Sequence, residues 1–326
     1  MKRLPTRRVM LAATAATVLG HSAVRAQERN RTFRLGILSV PPLQAPQWVA
    51  FFDELAKAGF VEGKNLIVDR RIPKSRPEHT VPLVAELVQL APDMISCGGR
   101  QNTAAVQAAT RTIPILSVSD DMVAEGLVPS LAHPGGNLTG ISILATELDG
   151  KRQEILIGLA HASRHTAALA TPGTKGPTEI EALRSDAAMH GIEVSIYAVG
   201  GAEEIAAAID RAQAAGATAL NVLASPMLNN NRKIIMDRCA ALRLPAIYQW
   251  PETAEEGGLA AYGPRFTKVY RQLARQAVKV LHGVKPADIP IEQPTEFELV
   301  INLKTAEALG LTIPPSILLL ADEVIE

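Results

Sequence analysis

Short apolar runs, several of them rich in β-branched residues, alternate with longer amphipathic segments from Phe33 to the end of the chain. The runs are almost continuously apolar, as expected for strands that are covered on both faces. The segments between them place apolar residues at helical spacing. This alternation predicts an α/β fold in which helices cover both faces of parallel sheets. The predicted strands are FRLGIL, NLIVDRR, DMISCG, IPILSVS, HTAALA, IEVSIYAV, ATALNVLA, LPAIYQW, GLAAYG and EFELVIN.

This strand pattern is too long and too evenly spread for one open sheet, and it is interrupted in three places. The interruptions are the Gly- and Pro-containing segments 134–137, 255–258 and 285–288. Three interruptions predict two doubly wound parallel-sheet lobes that exchange chain three times, so that a multi-strand hinge joins them. We expect lobe 1 to contain residues 34–141 and 257–288. We expect lobe 2 to contain residues 142–256 and 289–326.

The N-terminus has the three-part pattern of a secretory signal. Basic residues open the chain, an apolar run follows from 9 to 20, and the segment Ala-Val-Arg-Ala ends at Ala26. The apolar run is too short to span a hydrocarbon core of ~30 Å. We predict export to the periplasm by the twin-arginine or the Sec route, with a signal peptide of residues 1–26 cleaved after Ala26. The alternative is an amphipathic first helix of the fold.

The charge of the exported chain argues against nucleic acid as a partner. The full chain has 33 basic and 33 acidic residues, and the signal carries five basic and no acidic ones. The remaining 28 and 33 give a net charge near −5, with no basic stripe to follow phosphates. The two cysteines, Cys97 and Cys239, form neither a disulfide framework nor a metal quartet. We predict no disulfide between them, because we place them in different lobes, and no metal or other cofactor.

The loops after the predicted strands are the candidate ligand sites, because doubly wound sheets bind ligands beyond the carboxyl ends of their strands. Gly98 and Gly99 lie between a strand and a helix N-terminus, a position that favours an anion. Arg100 is suited to a bidentate contact with that anion, and Gln101 follows it. The alternative for the two glycines is ordinary turn chemistry. There is no GxGxxG or Walker motif, so nucleotides are not predicted.

Other strand-end loops supply polar candidates. Ser39 follows the first strand, and Asp121 follows IPILSVS. The Asp121 carboxylate suits the ammonium or hydroxyl groups of a ligand, and its alternative is to cap the next helix. In the second lobe, Thr171 follows HTAALA, while Ser225 and Pro226 follow ATALNVLA.

Three aromatic residues lie at strand ends in a chain that has only four tyrosines and two tryptophans. Tyr248 and Trp250 are two positions apart, which predicts one shared strand face. Tyr262 ends the strand GLAAYG. Together they predict a flat apolar wall for a small molecule. The alternative is that these rings wedge the lobes together.

Catalysis is not predicted, because neither HExxH nor GxSxG occurs in the chain. Cys97, at a strand end, is the one candidate nucleophile, and it leaves a cofactor-free racemase or isomerase as an alternative. Cys239 lies within the helical segment IIMDRCAAL, where a small buried side chain is the simpler interpretation.

Four long stretches, which together span nearly the whole exported chain, resemble one known family. They are GFVEGKNL (59–66), IPILSVSDDMVAEGLVPSLAHPGGNLTGIS (113–142), LPAIYQWPETAEEGGLAAYGPRFTKVYRQ (244–272) and KPADIPIEQPTEFELVINLKTAEALGLTIPPSILLLADEVIE (285–326). The order of these motifs is similar to that of the ABC-transporter substrate-binding family that includes the tryptophan- and tyrosine-type binding proteins. The PGGN-x-TG segment and the ADEVIE ending are the most specific parts.

The resemblance implies a type I periplasmic-binding fold with the ligand between the lobes, feeding a membrane permease and its ATPase. The chain departs from the family at Arg100–Gln101, where members carry Thr or Ser followed by Pro, and at 227–229. A cation at Arg100 favours an anionic ligand over an aromatic amino acid. By position, the family's pocket loops contain Gly98, Gly99, Asp121, Ser225, Pro226, Trp250 and Tyr262.

The sequence thus predicts an extracytoplasmic solute-binding protein of an ABC uptake system, monomeric and without catalytic activity. Its ligand is an amino acid or another small, anionic solute. Besides the racemase or isomerase, a periplasmic ligand-sensing module that acts on a signalling receptor is the remaining alternative.

Overall fold

The computed structural model of the protein describes residues 31–73, 77–160, 164–173 and 176–326. The predicted signal peptide lies outside the described residues. The strands are β1 (Phe33–Leu38), β2 (Leu66–Arg71), β3 (Met94–Gly98), β4 (Ile115–Ser119), β5 (Leu138–Ser142), β6 (His165–Ala170), β7 (Glu193–Ala198), β8 (Leu220–Val222), β9 (Ala246–Tyr248), β10 (Ala260–Gly263), β11 (Glu298–Asn302) and β12 (Glu323–Ile325).

Helices occupy most of the segments between the strands, and one 3₁₀ turn spans Pro286–Asp288. The helices are α1 (Pro46–Lys57), α2 (Pro77–Gln89), α3 (Arg100–Ala109), α4 (Ala145–Leu159), α5 (Pro177–Met189), α6 (Ala202–Ala214), α7 (Pro226–Asn230), α8 (Arg232–Leu242), α9 (Pro251–Glu255), α10 (Phe266–Leu281), α11 (Leu303–Leu309) and α12 (Pro315–Leu318). Among those described, none combines the length and apolar character that crossing a membrane requires.

Two sheets of the same design form the molecule. The first has the strand order β2-β1-β3-β4-β5, and all its pairs are parallel. The second contains β7-β6-β8-β9-β10, again with parallel pairs. This is the order of the first sheet with every strand number raised by five. Two mostly parallel α/β sheets confirm the predicted fold class. In each sheet the strand order reverses once, between β1 and β3 and between β6 and β8, and ligands bind at such reversals.

Every predicted strand is present, and two further strands were not predicted. β5, with the sequence LTGIS, closes one edge of the first sheet, and β12 closes one edge of the second. β11 runs antiparallel to β10 and β12 runs parallel to β11, so the second sheet is mixed at this edge. β11 runs opposite to β10 because the chain enters β11 from the first sheet, and no helical crossover within the second sheet connects the two strands.

Amphipathic helices cover the first sheet on both faces. Val269, Leu273 and Ala277 recur every four residues along α10 and are almost fully buried. This stripe packs α10 against α1 and against β4 and β5. Trp48 and Phe51 of α1 belong to the same core cluster. The helix that completes the first core is thus separated from it in sequence by the entire parallel part of the second sheet.

The strand pairing corrects the predicted lobe boundaries at two points. Residues 257–263, assigned to lobe 1, lead into β10, which pairs with β9 and β11 of the second sheet. Residues 289–292, assigned to lobe 2, stay with the first sheet, because Ile289 lies in its core and Glu292 bridges to Ile141 of β5. The chain therefore passes between the sheets after β5, after β10 and between Glu292 and β11. We call each sheet, together with the helices that cover it, one half of the molecule. That the two halves move as separate lobes stays a prediction.

The PGGN-x-TG segment leads into β5 and holds this strand against β4. Asn137 donates its side-chain N–H groups to the carbonyl oxygens of Thr110 (3.2 Å) and Ile113 (2.7 Å). Gly140 lies so close to β4 that a Cβ there would be 1.9 Å from the carbonyl oxygen of Ser117. No other residue fits at 140 without moving a strand, which explains the glycine in this motif.

Candidate functional site

The carboxyl ends of the two sheets meet at Gly99 and Pro226. Gly99 follows β3 and has a φ of +78°, in the left-handed region that favours glycine. A Cβ at this position would lie 2.9 Å from Cγ of Pro226, the first residue of α7 after β8. The two halves therefore touch here through a bare backbone, and a side chain at residue 99 would push them apart.

Four of the predicted site residues lie at the two strand-order reversals. Gly98 ends β3, while Ser39, Thr171 and Ser225 follow β1, β6 and β8. The Ser39 hydroxyl accepts a hydrogen bond from the Trp48 indole N–H at 3.0 Å. Thr171 donates its hydroxyl to Ser225 Oγ at 3.0 Å. The hydroxyl groups of Ser39, Thr171 and Ser225 thus already have hydrogen-bond partners in the protein.

The charged residues predicted at the site are less enclosed. Arg100 and Gln101 begin α3 and are exposed, so the structure does not place the Arg100 cation in an enclosed pocket. Asp121 Oδ1 accepts hydrogen bonds from the backbone N–H groups of Val123 (3.0 Å) and Ala124 (3.1 Å). Residues 122–126 form a turn and not the helix that the capping alternative expected, so this oxygen closes a turn.

Trp250 joins the two halves through other aromatic rings. Its ring centroid is 3.9 Å from that of Phe266, at the start of α10. Phe266 packs on Tyr270 (5.3 Å), and Tyr270 packs edge-on against Trp48 of α1 (5.0 Å). We call these four residues the aromatic bridge. Trp250 is 6% exposed and belongs to the same core cluster as the first sheet, although it follows β9 of the second.

The other two predicted aromatic residues lie elsewhere. β9 ends at Tyr248, so the expectation that Tyr248 and Trp250 share one strand face is wrong. The Tyr248 ring is in the core of the second sheet, where its phenol hydrogen-bonds the Cys239 thiol. Tyr262 packs on the opposite face of that sheet and lies 6.4 Å from the Phe297 ring. Tyr262 therefore does not lie beside Trp250 in a common wall, whereas Tyr248 and Trp250 both line the small cavity described next.

A small cavity opens at the carboxyl ends of β8 and β9. Its volume is about 10 Å³, roughly one water-sized sphere. Sites for small molecules usually enclose about 300–1,000 Å³, so this cavity has to widen before a small molecule fits. It is lined by Val222, Leu223, Ser225, Asn229, Arg232, Tyr248, Gln249, Trp250 and Thr253. Sequence reasoning predicted only Ser225, Tyr248 and Trp250 of these nine residues. Gln249 is among the six that it missed, because a glutamine between two aromatic residues gives no signal of its own.

A buried ion pair supports the second half of the site from below. Arg152 of α4 is fully buried and pairs with the Asp149 carboxylate one turn earlier. Its guanidinium also donates to the carbonyl oxygen of Tyr262 at 3.1 Å. Asp149 in turn accepts the backbone N–H of Ala224 at 3.2 Å, immediately before Ser225. The pair thus fixes α4 to the ends of β8 and β10. Sequence reasoning did not identify it.

Glu125 is a half-buried carboxyl group near the end of β4. Burial raises its pKa to about 7, and the nearby Asp120 and Asp121 carboxylates add to the rise. The hydroxyl of Ser119 donates to it, and Arg100 opposes the rise. At neutral pH this group therefore titrates beside the candidate site.

We expect Glu125→Gln to flatten the pH dependence of stability between about pH 5 and pH 8. Because the folded-state pKa is raised, deprotonation opposes folding, and wild-type stability falls as pH rises from about 4.5 through 7. The expected loss is roughly 1–3 kcal/mol, at about 1.4 kcal/mol per pKa unit. Urea unfolding at several pH values measures it. Glu54→Gln is the control, since the Lys57 hydrogen bond lowers the pKa of Glu54 and places its effect at lower pH. A slope that survives Glu125→Gln contradicts the assignment.

The two cysteines are buried in different cores, as expected, and both thiols are free. Burial raises the pKa of Cys97 to about 11 and that of Cys239 to about 12. The thiolate is the nucleophilic form, so Cys97 is almost entirely the unreactive thiol at neutral pH. This argues against the racemase alternative. No cluster of metal-ligating side chains occurs within the described part of the chain.

Comparison with known proteins gives one matching family and several relatives. The family model described as "ABC transporter substrate binding protein" matches residues 40–325. A tyrosine-binding protein of Clostridioides difficile (strain R20291) is 24% identical over 262 residues, which cover 80% of this chain and 75% of that protein.

Two solved structures have the same fold. An ABC domain in complex with L-Trp from Streptococcus pneumonia has a TM-score of 0.80 and 23% identity, covering 90% of this chain and 100% of that one. The ligand-free, open structure of a substrate-binding protein with adhesive properties from Clostridium difficile has a TM-score of 0.62 and 22% identity. It covers 90% of this chain and 99% of that one.

Proposed function

Because the chain belongs to the ABC transporter substrate-binding protein family, whose model matches residues 40–325, we propose that it is the extracytoplasmic solute-binding component of an ABC uptake system. It binds a small molecule between its two halves and delivers it to a membrane permease and its ATPase. The ligand class is an amino acid, and L-tryptophan and L-tyrosine are the first candidates. The protein acts as a monomer, after export and cleavage behind Ala26.

The aromatic bridge is the observation that carries this proposal. Trp250 approaches Phe266 to 3.9 Å where the carboxyl ends of both sheets converge. An aromatic ligand entering there exchanges protein ring contacts for ligand ring contacts of the same kind, worth about 0.5–1.5 kcal/mol each beyond buried area. The names of two relatives, a tyrosine-binding protein and an L-Trp complex, support the same class.

Ligand entry requires the two halves to separate and then close again. Gly99 and Pro226 are in contact, and the cavity beside Ser225 has a volume of about 10 Å³. Binding therefore shifts an equilibrium between open and closed forms, as in hinge-closing proteins. The closed form, with the ligand inside, is the one that the permease recognises.

Direct binding measurements test the proposal. The protein is purified without refolding, and small molecules released from it are identified by mass spectrometry. The stripped protein is then titrated with L-tryptophan, L-tyrosine and, as a non-aromatic control, L-alanine. We expect micromolar or tighter binding of an aromatic amino acid, with no chemical change of the ligand. Racemisation of the bound amino acid, or binding of none of the three with no copurified solute, contradicts the proposed function.

A further inference from the structure

Gln249 stands out among the buried glutamines of the described residues. It follows β9 and is 7% exposed. Gln153 provides the comparison: its amide donates to Thr166 Oγ1 at 2.8 Å and accepts from the Asn221 amide at 3.1 Å. The Nε2 of Gln249, by contrast, is buried with no acceptor among the described residues. A buried polar group with no hydrogen bond is costly and uncommon, so it calls for a physical reason.

The position of Gln249 is held by its neighbours. A Cβ on Gly263 would lie 2.1 Å from the carbonyl oxygen of Gln249, so the two backbones are in close contact. On one side of Gln249, the Tyr248 phenol is bonded to the Cys239 thiol. On the other side, the Trp250 ring packs on Phe266. These contacts on both sides hold the backbone of Gln249 in place.

The amide lies where a ligand can reach it. Gln249 lines the cavity at the carboxyl ends of β8 and β9, together with Ser225 and Trp250. Arg232, the cation in the same lining, already forms a two-point ion pair with Glu256 and donates to the carbonyl oxygen of Asn229. Among the residues that line this cavity, Gln249 thus contributes the buried side-chain donor that has no acceptor in the described part of the chain.

We propose that Gln249 is a specificity-determining residue that donates its buried Nε2–H to a carboxylate oxygen of the bound amino acid. The proposal rests on the proposed function and names the group of the ligand that this chain recognises. A carboxylate is the favoured acceptor, because hydrogen bonds to a charged acceptor are about twice as strong as neutral ones. In this arrangement the donor stays unsatisfied in the empty protein and gains its partner on binding.

Gln249→Leu separates this role from a structural one. Leucine has a similar size but no polar atoms, so it removes an unsatisfied donor from the empty protein. We expect the melting temperature of the empty protein to stay unchanged or to rise. Affinity for L-tryptophan falls at least tenfold. Gln153→Leu is the matched control: it breaks two satisfied hydrogen bonds, lowers the melting temperature, and leaves the affinity within about twofold.

A ligand that lacks the carboxylate completes the experiment. Tryptamine has the indole and ammonium groups of L-tryptophan, and we expect it to bind wild type at least tenfold more weakly than L-tryptophan. Its affinity should be the same for wild type and Gln249→Leu. Calorimetric titration of both ligands against both proteins measures the four affinities, and thermal unfolding measures the stabilities.

The outcomes separate the two claims. If wild type binds L-tryptophan and Gln249→Leu keeps that affinity, or loses affinity for tryptamine equally, the role of Gln249 is overturned while the proposed function stands. A melting temperature that falls as far as in Gln153→Leu also overturns it, because the amide is then a structural partner. If wild type binds no amino acid, the proposed function fails, and the carboxylate contact fails with it.

Discussion

Arg152→Met is expected to lower the free energy of unfolding by about 3–5 kcal/mol, because it leaves a buried carboxylate without its guanidinium partner. Arg152 is fully buried, and Asp149 is 5% exposed. The change also removes the hydrogen bond to the Tyr262 carbonyl oxygen. Urea unfolding at neutral pH, followed by circular dichroism, measures the loss.

Two further variants make this expectation specific. Lys233→Met removes the exposed Lys233–Asp237 pair on α8 and should cost no more than about 0.5 kcal/mol. Adding Asp149→Leu to Arg152→Met should recover part of the loss, since apolar replacement of a whole buried pair is tolerated better than removal of one partner. A loss below about 1 kcal/mol for Arg152→Met shows that the pair does not hold α4 to the second sheet.

Trp250→Ala is expected to weaken ligand binding about thirtyfold, which corresponds to about 2 kcal/mol. The Trp250 indole is the member of the aromatic bridge that comes from the second half. Its removal takes away an apolar surface that the ligand would contact, and it also takes away a contact that favours the closed form of the protein. Because Trp250 is 6% exposed, truncation should also destabilise the ligand-free protein by about 3–5 kcal/mol. Titration at a temperature where the variant is folded gives the affinity per folded molecule.

Phe60→Ala is the control for this loss of stability. The Phe60 ring packs edge-on against Phe33 at 5.1 Å, at the start of β1 and therefore at the end of the sheet opposite the site. We expect Phe60→Ala to lower stability by a similar amount and to leave ligand affinity unchanged. If Trp250→Ala behaves in the same way, Trp250 is a structural wedge between the halves, and the ligand lies elsewhere.

The sequence was sufficient to predict the fold class, because alternation of apolar runs with amphipathic helices is a local property. It could not assign GLAAYG to a sheet, since an apolar strand reads the same whichever neighbour it pairs with. β5 was missed for a different reason. Thr139 and Gly140 resemble a turn in the sequence, and only the close approach of Ser117 shows why a strand carries glycine there.

The sequence was sufficient to locate several candidate residues in the fold, while their contact with a ligand stays a prediction. Ser39, Thr171 and Ser225 do lie at the strand-order reversals, because the rule that places them depends on topology alone. Tyr248 was misplaced because alternation was extended past the end of β9. Gln249 became visible only when its hydrogen bonds could be counted, and a hydrogen bond that is missing leaves no trace in a sequence.

The position of α10 in the chain has a consequence for how the protein is made. The helix that packs on α1, β4 and β5 is synthesised only after β6 to β10 have been synthesised. Until then, Phe51 and Leu55 of α1 lack their partners from α10 in the finished core. The core of the first half therefore cannot be completed until the parallel strands of the second half have been synthesised, although most of the first half is made earlier. A nascent chain whose apolar face stays exposed for a long time is a substrate for chaperones. Such a chain also becomes compact slowly, so it can be transported in an unfolded form for longer.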